Sequence, residues 1–484
     1  MKTLIIKSQN NNNYLVNNEG GFFLLHPNMQ KILTKSDHKE SSFEQSAVNK
    51  LRYWEQYNII SNSNQRRTFS SLQIETIQNA IINTPQIIFE VTDQCNMQCY
   101  YCGYGQLYDH YDPRKNQNMK FSLFLSMMKY MYSLWSSKVI HSNRRTVRIS
   151  FYGGEPLLNI EFIQKAVDYL GSHKLKNKEF IFSMTTNGLL INKYLDFLVQ
   201  HKFELLISID GNEYNNSYRV TKSGLSVFKN IYENIVLIQT RYPEYFKKHV
   251  RFNAVLHNRN SIEQTTNFIY QNFGKIPSIN ELNISKVNPC MMDRFQEIFK
   301  SLSHDYNECE QSPIYSLIKL NSPQNIEFAK YLNSTPQKVF NHSLQDYISS
   351  LLYKKKKCIT GLPTGTCIPF SRKIFLSVTG KIYPCERIGN EIEFGFVNIN
   401  DVKIYFEKIV EKYNDLYSKY IKSCATCTRF NTCPVCIVSD INAYNICHNK
   451  YGNQFHKAFF ASFFSVIENE PSLYIELINR LRIA

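Results

Sequence analysis

Three cysteines stand close together in the segment VTDQCNMQCYYC, which follows the apolar run Ile87-Ile88-Phe89-Glu90. Three residues separate Cys95 from Cys99, and two separate Cys99 from Cys102. Three thiolates on one tight loop hold three corners of a cubane 4Fe-4S cluster and leave the fourth iron without a protein ligand. The spacing therefore predicts a cluster whose open iron binds a small molecule.

The cysteine content as a whole points to metal chemistry. The chain has 13 cysteines in 484 residues. Its first residues, MKTLIIKSQNNNN, lack the apolar segment and cleavage site of a secretory signal, so the sequence predicts a cytoplasmic protein. In that reducing compartment, clustered thiols are metal ligands or redox centres rather than structural disulfides. No apolar stretch is long enough to span a bilayer, and we expect no membrane partner.

A second group of thiols extends from Cys358 to Cys447. Its spacing is C-x8-C-x12-G-x4-C, followed by C-x2-C-x5-C-x2-C-x10-C. Eight thiols are enough for two further clusters with four cysteine ligands each. Paired C-x2-C motifs are also found in zinc knuckles. The gap of five residues between these pairs is shorter than the ~15 to 20 residues of zinc ribbons.

The elements that must position these residues follow a repeated pattern from residue 86 onward. Short apolar runs, typical of strands, lie at 87–92, 147–153, 180–186, 205–211, 250–256 and 281–287, and amphipathic stretches lie near 121–136, 160–172, 191–201, 225–240 and 261–272. Such alternation predicts an α/β fold with a parallel sheet, here a partial (β/α)6 barrel. The loops after the strands of such a barrel converge on one face. We therefore expect the cysteines and the segments GGEP, TTNG and SIDG to share one rim.

These motifs occur in an order that resembles the radical S-adenosylmethionine (SAM) superfamily. The C-x3-C-x2-C triplet follows the first predicted strand, Gly153-Gly154-Glu155-Pro156 the second, TTNG the third and SIDG the fourth. The resemblance implies that the open iron chelates the amino and carboxylate groups of SAM, and that one electron releases a 5′-deoxyadenosyl radical. In such an enzyme the cofactor supplies the difficult chemistry, and the protein supplies position and shelter.

The same resemblance implies eight residues that bind SAM. They are Tyr101, Gly153, Gly154, Glu155, Asn187, Ser208, Asp210 and Arg219. By resemblance, Tyr101 packs beside the adenine and Arg219 points at the methionine carboxylate. The glycine segment brings its backbone close to the methionine amino group, since glycine permits such an approach, and the other residues lie near the ribose and adenosine. Taken singly, TTNG and IDGN are ordinary turn sequences.

The second cysteine group resembles the SPASM extension of radical enzymes that modify peptides and proteins. It departs from that pattern by a gap of two rather than three residues before Cys436. The resemblance implies two auxiliary 4Fe-4S clusters and so three in total. The implied ligands are Cys358, Cys367, Cys385 and Cys436 for the nearer cluster, and Cys424, Cys427, Cys433 and Cys447 for the farther one. Full thiolate ligation leaves no open iron, so these clusters relay electrons or stabilise the fold. Cys290 and Cys309 are then unmetallated.

Glu386 directly follows Cys385 in the segment YPCERI. Related protein-oxidising enzymes have an Asp at this position that acts as a general base, and the resemblance implies the same role for Glu386. A buried carboxylate beside a cluster takes a proton while the radical product is oxidised. A salt bridge to the neighbouring Arg387 is the alternative.

The predicted domains follow the chain in order. Residues 1–80 read as a winged-helix-like unit that resembles the leader-recognition element of peptide-modifying enzymes, which binds a leader peptide as an added strand. An inert dimerisation or capping module is the alternative. The stretch FFLLHPNMQKIL resembles the start of radical SAM peptide maturases of the Bacteroidetes type. The radical SAM core follows at 85–300, a helical bridge at 301–357, the SPASM domain at 358–450 and a helical tail at 451–484.

The resemblance predicts a maturase of ribosomally synthesised peptides that forms a thioether or a carbon-carbon cross-link. Its expected partners are a precursor peptide with its leader and a reductant such as flavodoxin or ferredoxin. An anaerobic sulfatase-maturating type of enzyme, which forms formylglycine, is the alternative. The net charge of +16 favours a non-catalytic iron-sulfur or nucleic-acid-binding protein when taken alone. With the motifs included, we expect no nucleic-acid partner.

Overall fold

The computed structural model describes residues 4–16, 22–27, 29–30, 42–56, 68–109, 112–137, 142, 144–284, 286–334, 361–389, 392–425, 427, 430–438 and 453–480. The chain forms two compact units. Unit one comprises residues 1–71, 320–366 and 414–484, and unit two comprises residues 72–319 and 367–413.

The strands are numbered along the chain. They are β1 (Leu4–Lys7), β2 (Asn13–Val16), β3 (Phe22–Leu25), β4 (Gln86–Thr92), β5 (Thr146–Gly153), β6 (Glu179–Thr186), β7 (Glu204–Ser208), β8 (Val250–Leu256), β9 (Ser278–Glu281), β10 (Ile374–Leu376), β11 (Ile382–Tyr383), β12 (Gly395–Val397) and β13 (Val402–Ile404).

The α-helices are numbered in the same way. They are α1 (Ser42–Gln56), α2 (Ile74–Ile82), α3 (Phe121–Trp135), α4 (Ile160–Ser172), α5 (Ile191–Gln200), α6 (Phe228–Arg241), α7 (Pro243–His249), α8 (Ile262–Phe273), α9 (Met292–Ile298), α10 (Leu302–Glu308), α11 (Tyr315–Ile318), α12 (Pro323–Ser334), α13 (Phe406–Ser418), α14 (Ile421–Ala425), α15 (Asn453–Asn469) and α16 (Pro471–Arg480). Short 3-10 helices lie at Pro156–Asn159, Pro289–Met291, Cys309–Gln311, Lys319–Asn321 and Phe430–Thr432.

Unit two is built on a sheet of eight strands in the order β11-β10-β4-β5-β6-β7-β8-β9. Strands β4 to β9 pair in parallel with their sequence neighbours, as the alternating pattern predicts. β4 is buried over six of its seven residues, which is typical of a parallel strand covered on both faces. The α/β core with a largely parallel sheet is therefore confirmed.

Two features of this sheet differ from the prediction. The last parallel strand is β9 (Ser278–Glu281) rather than 281–287, because Lys286 has a φ of 58° that an extended strand does not accommodate. The sheet also continues beyond β4, where β10 pairs in parallel with it and β11 pairs antiparallel with β10. These two strands are too short for periodicity to indicate them.

Local signals mark both ends of α8 in unit two. α4 occupies 160–172, as predicted. Ser261 caps α8 by accepting a hydrogen bond from Gln264 N at 3.1 Å, which is the usual role of serine before a helix. Gly274 ends α8 with a φ of 62°, a left-handed conformation that glycine adopts without steric cost. The sequence thus determines the length of the connections between the parallel strands.

Unit one contains a three-stranded antiparallel sheet, β1-β2-β3. Its apolar face shares one hydrophobic core with α12, α15 and α16. The ring of Tyr14 in β2 stacks on Phe464 in α15 with centroids 3.9 Å apart. The sequence predicts the N-terminal module and the helical tail as separate segments, whereas their described residues pack together here. Among the described residues, no helix has the length and apolar character needed to cross a membrane.

Candidate active site

The loop after β4 carries Cys95, Cys99 and Cys102, all partly buried and none in a disulfide. Its backbone is hydrogen-bonded to the segment after β7. Gln98 N donates to Val220 O at 2.8 Å, and Tyr100 N donates to Tyr218 O at 3.1 Å. The fold thus holds the three thiols on one short, anchored loop at the carboxyl end of the sheet.

The electrostatics of the three thiols show that they lie near one another. The pKa of Cys95 is raised to about 11 and that of Cys99 to about 12, mainly by burial, and the neighbouring thiols contribute in the same direction. Without metal these sulfurs carry protons, which iron displaces when it binds. Three free thiols on one loop fit three corners of a cubane. Among the described residues, no group of three His, Cys, Asp or Glu side chains is placed to hold one metal ion. A cubane does not require such a group, because each thiolate binds a different iron.

The glycines of GGEP bring the end of β5 against the start of the cysteine loop. Gly154 N donates to Thr92 O at 3.0 Å, and Glu155 N donates to Gln94 O at 2.8 Å. A Cβ atom at Gly154 would lie 2.0 Å from Gln94 O, and one at Gly153 would lie 2.0 Å from Thr92 O. Glycine is therefore required for this backbone contact. The predicted contact of the same segment with SAM stays a prediction.

Glu155 is fully buried and joins the GGEP segment to the end of β6. Its carboxylate accepts hydrogen bonds from Leu157 N at 3.1 Å, Thr186 Oγ1 at 2.7 Å and Asn187 N at 2.7 Å. Burial raises the pKa of Glu155 to about 7, against the effect of these donors. Asn187 in turn donates to Asn96 Oδ1 at 2.8 Å. Three rim segments are thereby tied together, as expected from the order of the strands.

Asp210 is the centre of a buried charge cluster on the same rim. Arg219 donates to it through Nε at 2.9 Å and Nη2 at 3.0 Å, Val255 N donates at 2.9 Å, and Tyr101 OH forms a further, short hydrogen bond. Burial alone would raise the pKa of Asp210, but Arg219 and His257 together outweigh it and lower the pKa to about 2. The charge of Asp210 therefore fixes the side chains of Arg219 and Tyr101. Their predicted contacts with SAM, like that of the partly buried Ser208 at the end of β7, remain predictions.

His257 belongs to this cluster, although no sequence motif indicates it. It is completely buried after β8, and its ring stacks on Tyr101 with centroids 5.4 Å apart. Its Nδ1 accepts a hydrogen bond from Arg259 N at 3.1 Å, so its Nε2 lies 3.7 Å from Asp210 Oδ2. A lone histidine after a strand is not a motif. Its position at the end of the fifth parallel strand was the available signal.

Glu386 lines a cavity of about 300 Å³ in unit two, which we call the Glu386 cavity. Asp93 and Tyr104, which flank the cysteine loop, line the same cavity. Lys373 Nζ lies 3.1 and 3.0 Å from the two carboxylate oxygens of Glu386. Burial raises the pKa of Glu386, but Lys373, a backbone hydrogen bond and Arg387 together outweigh this effect, and the net shift is downward. Arg387, the alternative salt-bridge partner, lowers the pKa of Glu386 less than Lys373 does.

The predicted auxiliary ligands fall partly within the described chain. Cys358 and Cys447 lie outside the described residues. Cys385 follows the β10–β11 hairpin, whose turn contains Gly380 with a φ of 91°, the glycine of the predicted G-x4-C pattern. The other predicted ligands are partly or fully buried: Cys367, Cys424, Cys427, Cys433 and Cys436. In unit one, Thr366 Oγ1 accepts a hydrogen bond from Ile437 N at 3.0 Å, next to Cys436. The ligand sets stay predictions.

The parallel core matches a known family. Residues 89–269 match the model of the Radical SAM superfamily, and this range contains the cysteine loop, GGEP, TTNG, SIDG and Arg219. The chain therefore has a radical SAM domain and is an enzyme, as the motifs predict. A domain of this kind implies SAM and one 4Fe-4S cluster as cofactors. The non-catalytic alternative is set aside by this result.

Named relatives and a solved structure are similar to the chain. A cysteine-type anaerobic sulfatase-maturating enzyme of Clostridium perfringens (strain 13 / Type A) is 25% identical over 360 residues, which are 72% of this chain and 86% of that protein. The radical SAM cyclopropyl synthase TigE of Paramaledivibacter caminithermalis is 27% identical over 202 residues, which are 40% of this chain and 39% of that protein. The structure of native anSMEcpe with bound AdoMet has a TM-score of 0.51 at 20% identity, covering 79% of this chain and 99% of that chain. At that identity the likeness concerns the fold.

Proposed function

We propose that this enzyme is a maturase of a ribosomally synthesised peptide. It removes a hydrogen atom from a peptide carbon and oxidises the resulting radical to a thioether or carbon-carbon cross-link. The Glu386 cavity carries the proposal, because Asp93 and Tyr104 beside the cysteine loop and the candidate base Glu386 line one space. A protein or peptide substrate is supported by the sulfatase-maturating relative and by the solved structure of anSMEcpe with AdoMet and the Cp18Cys peptide.

The residues of the rim hold the cofactor and the substrate in place. SAM and its cluster supply one-electron cleavage and a carbon radical that accepts the first hydrogen atom from the peptide. Cys95, Cys99 and Cys102 hold the cluster, and Glu155 and Asp210 keep the surrounding loops in register through their hydrogen bonds. Buried groups fixed in this way are already positioned when substrate arrives, which avoids reorganisation during the reaction.

The second half of the reaction needs a base and an electron acceptor. Glu386 would take the second hydrogen of the peptide as a proton, and an auxiliary cluster held by the SPASM-like cysteines would supply the acceptor for the remaining electron. A carboxylate can accept a proton only when it is ionised, and Lys373 lowers the pKa of Glu386 against the effect of burial. The oxidation is then balanced by one proton on Glu386 and one electron on iron.

The auxiliary clusters and the leader site complete the proposal. The eight SPASM-like cysteines hold two clusters, with Cys385 next to the base. In unit one, strands β1 and β3 each pair with β2 and with no other described strand, and Leu24 in β3 is 62% exposed. An edge strand of this kind accepts a leader peptide as an added strand. Flavodoxin or ferredoxin supplies the electron for SAM cleavage.

Formation of formylglycine is the second candidate, favoured by the sulfatase-maturating relative that covers 72% of this chain. Both reactions remove hydrogen from the substrate, so they are separated by product mass. Formylglycine formation from cysteine also removes sulfur, whereas a cross-link retains it.

The test uses the full chain, reconstituted with iron and sulfide without oxygen and supplied with SAM and dithionite. Peptides encoded by short open reading frames beside this gene are compared with a sulfatase-derived cysteine peptide. We expect 5′-deoxyadenosine and a gene-neighbour peptide that has lost two hydrogens and kept its sulfur. Modification of the sulfatase peptide alone, with loss of sulfur, would replace the proposal by the second candidate.

A further inference from the structure

Arg114 occupies an unusual position in the Glu386 cavity. Its guanidinium carbon lies 3.5 Å from the centroid of the Tyr104 ring, and its Nη1 lies 2.9 Å from Glu90 Oε1. Arg114 lowers the pKa of Glu90 through its charge and a side-chain hydrogen bond, against the effect of burial, so Nη1 is engaged by that carboxylate. Nη2 has no hydrogen-bond acceptor among the described residues, although it is shielded from solvent. Buried donors without acceptors are rare and costly.

The backbone around Arg114 is fixed to the cysteine loop. The carboxylate of Asp93 accepts hydrogen bonds from Lys115 N and Gln117 N, and Gln94 Nε2 donates to Asn116 O at 2.7 Å. Asp93 and Gln94 are the two residues directly before Cys95. Arg114 is therefore held in place by both its backbone and the Tyr104 ring, so little freedom is lost when it binds a ligand.

The carboxylates of the cavity are already occupied. Four carboxylates line it among the described residues, and each accepts a hydrogen bond. The pairs are Val378 N to Glu90 at 3.0 Å, Lys115 N to Asp93 at 2.9 Å, Lys381 Nζ to Asp112 at 2.7 Å and Lys373 Nζ to Glu386 at 3.0 Å. Among the described residues, the N–H groups on Nη2 of Arg114 are buried donors of this cavity without an acceptor. An occupant must supply oxygen acceptors to match them.

We propose that Arg114 positions the peptide substrate by donating hydrogen bonds to an oxygen of that peptide, within the Glu386 cavity. The oxygen belongs to an Asp or Glu side chain or to a backbone carbonyl. A guanidinium presents parallel donors that match a carboxylate in a bidentate manner. A volume of about 300 Å³ is at the lower end for ligand sites, so one or two residues of the peptide enter it. The inference rests on the proposed function, since it assigns a substrate contact to that reaction.

The test measures retention of peptides by the anaerobic holoenzyme with SAM. The probe is an equimolar library of synthetic twelve-residue peptides with a fixed central cysteine and varied flanks. Wild type is compared with Arg114→Gln, Arg114→Lys and the double variant Glu90→Gln/Arg114→Gln, which removes both buried charges if the single change disturbs folding. Arg241→Gln is the matched control, because Arg241 pairs with Asp196 and lies over a tyrosine ring on the surface.

We expect Arg114→Gln and the double variant to retain about tenfold less peptide or lower still, as for the loss of charge-assisted hydrogen bonds. Arg241→Gln should match wild type. Enrichment of Asp or Glu at a fixed distance from the cysteine in the wild-type pool identifies a carboxylate as the bound group. Retention without such enrichment identifies a backbone carbonyl.

Two results would overturn the inference. One is unchanged peptide retention by Arg114→Gln, and the other is a wild-type enzyme that retains no peptide from the library. Iron content and peptide-independent cleavage of SAM are measured for every variant, so loss of fold is recognised separately. If gene-neighbour peptides are modified while the Arg114 variants bind normally, the proposed function stands and this inference alone fails.

Discussion

A carboxylate acts as a general base only while it is ionised, and Lys373 is the main group that favours this state of Glu386. Lys373 contacts both carboxylate oxygens and lowers the pKa that burial would otherwise raise. Because the pKa is lowered, Glu386 is ionised at neutral pH and protonates only in acid. A base with these properties suits the oxidation step of the proposed reaction.

Replacing Glu386 by Gln should separate the two halves of the reaction. We expect formation of 5′-deoxyadenosine to continue while the modified peptide falls by about 10²-fold or more, because general-base catalysis contributes on this scale. Liquid chromatography with mass spectrometry measures both products. Glu393→Gln is the control, since Glu393 forms a comparable but exposed pair with Lys408. Full product formation by Glu386→Gln would remove Glu386 from the mechanism.

The Asp210–Arg219 ion pair gives a second prediction about individual residues. Because both side chains are buried, breaking the pair should lower the free energy of unfolding strongly. Asp210→Asn leaves the guanidinium of Arg219 without its counter-charge in a buried site, which costs roughly 3–5 kcal/mol. Anaerobic denaturant unfolding should show this loss. Asp196→Asn removes the exposed partner of Arg241 and should cost about 1 kcal/mol or less. Equal losses of stability for the two substitutions would show that the buried ion pair stabilises the fold no more than the exposed one.

At the level of elements, the contact between the end of β5 and the cysteine loop is set by two glycines. Gly154→Ala places a methyl group 2.0 Å from Gln94 O, so the loop before Cys95 must move. We expect lower iron content and SAM cleavage reduced by ~10²-fold, since a shift of about 1 Å at a reacting centre has this effect. Iron analysis and 5′-deoxyadenosine assays test the expectation.

Gly171→Ala is the control for this substitution. Gly171 lies in α4, and a methyl group added to its Cα would have no neighbouring atom within 4 Å. Alanine is favoured over glycine in a helix by roughly 0.5–1 kcal/mol, so this variant should be at least as stable as wild type. Normal iron content in Gly154→Ala would contradict the proposed role of the close backbone contact.

At the level of the whole molecule, unit one joins segments from both ends of the chain. Buried Tyr14 and Val16 of the N-terminal sheet lie in one core with Phe460, Phe463 and Phe464 of α15. A three-stranded sheet without a covered apolar face is marginal in water. The N-terminal sheet therefore depends on helices encoded more than four hundred residues later.

A fragment comprising residues 1–80 should consequently fail to fold by itself. We expect narrow amide dispersion in its NMR spectrum and no cooperative thermal transition. In the full chain, Phe464→Ala should destabilise unit one by about 3–5 kcal/mol, whereas Leu24→Ala, at an exposed position, should stay within about 0.5 kcal/mol. A cooperatively folded fragment would show that the sheet needs none of the C-terminal helices.

Much of unit two follows from the sequence because its signals are local. The triplet Cys95, Cys99 and Cys102 is defined by spacing on one loop, and the strands β4 to β8 are defined by short apolar runs. β9 was placed wrongly because it is an exposed strand at the sheet edge, where burial imposes no periodic pattern.

The sequence by itself determined the chemistry of the cysteine loop and the parallel order of the core, because spacing and periodicity act over a few residues. Only the tertiary structure decided that Asp210 pairs with Arg219 beside His257, that Lys373 pairs with Glu386, and that Arg114 lines the same cavity. These contacts join residues from different strands and loops. Their energies depend on burial and on distance in space, neither of which is encoded by the spacing of residues along the chain.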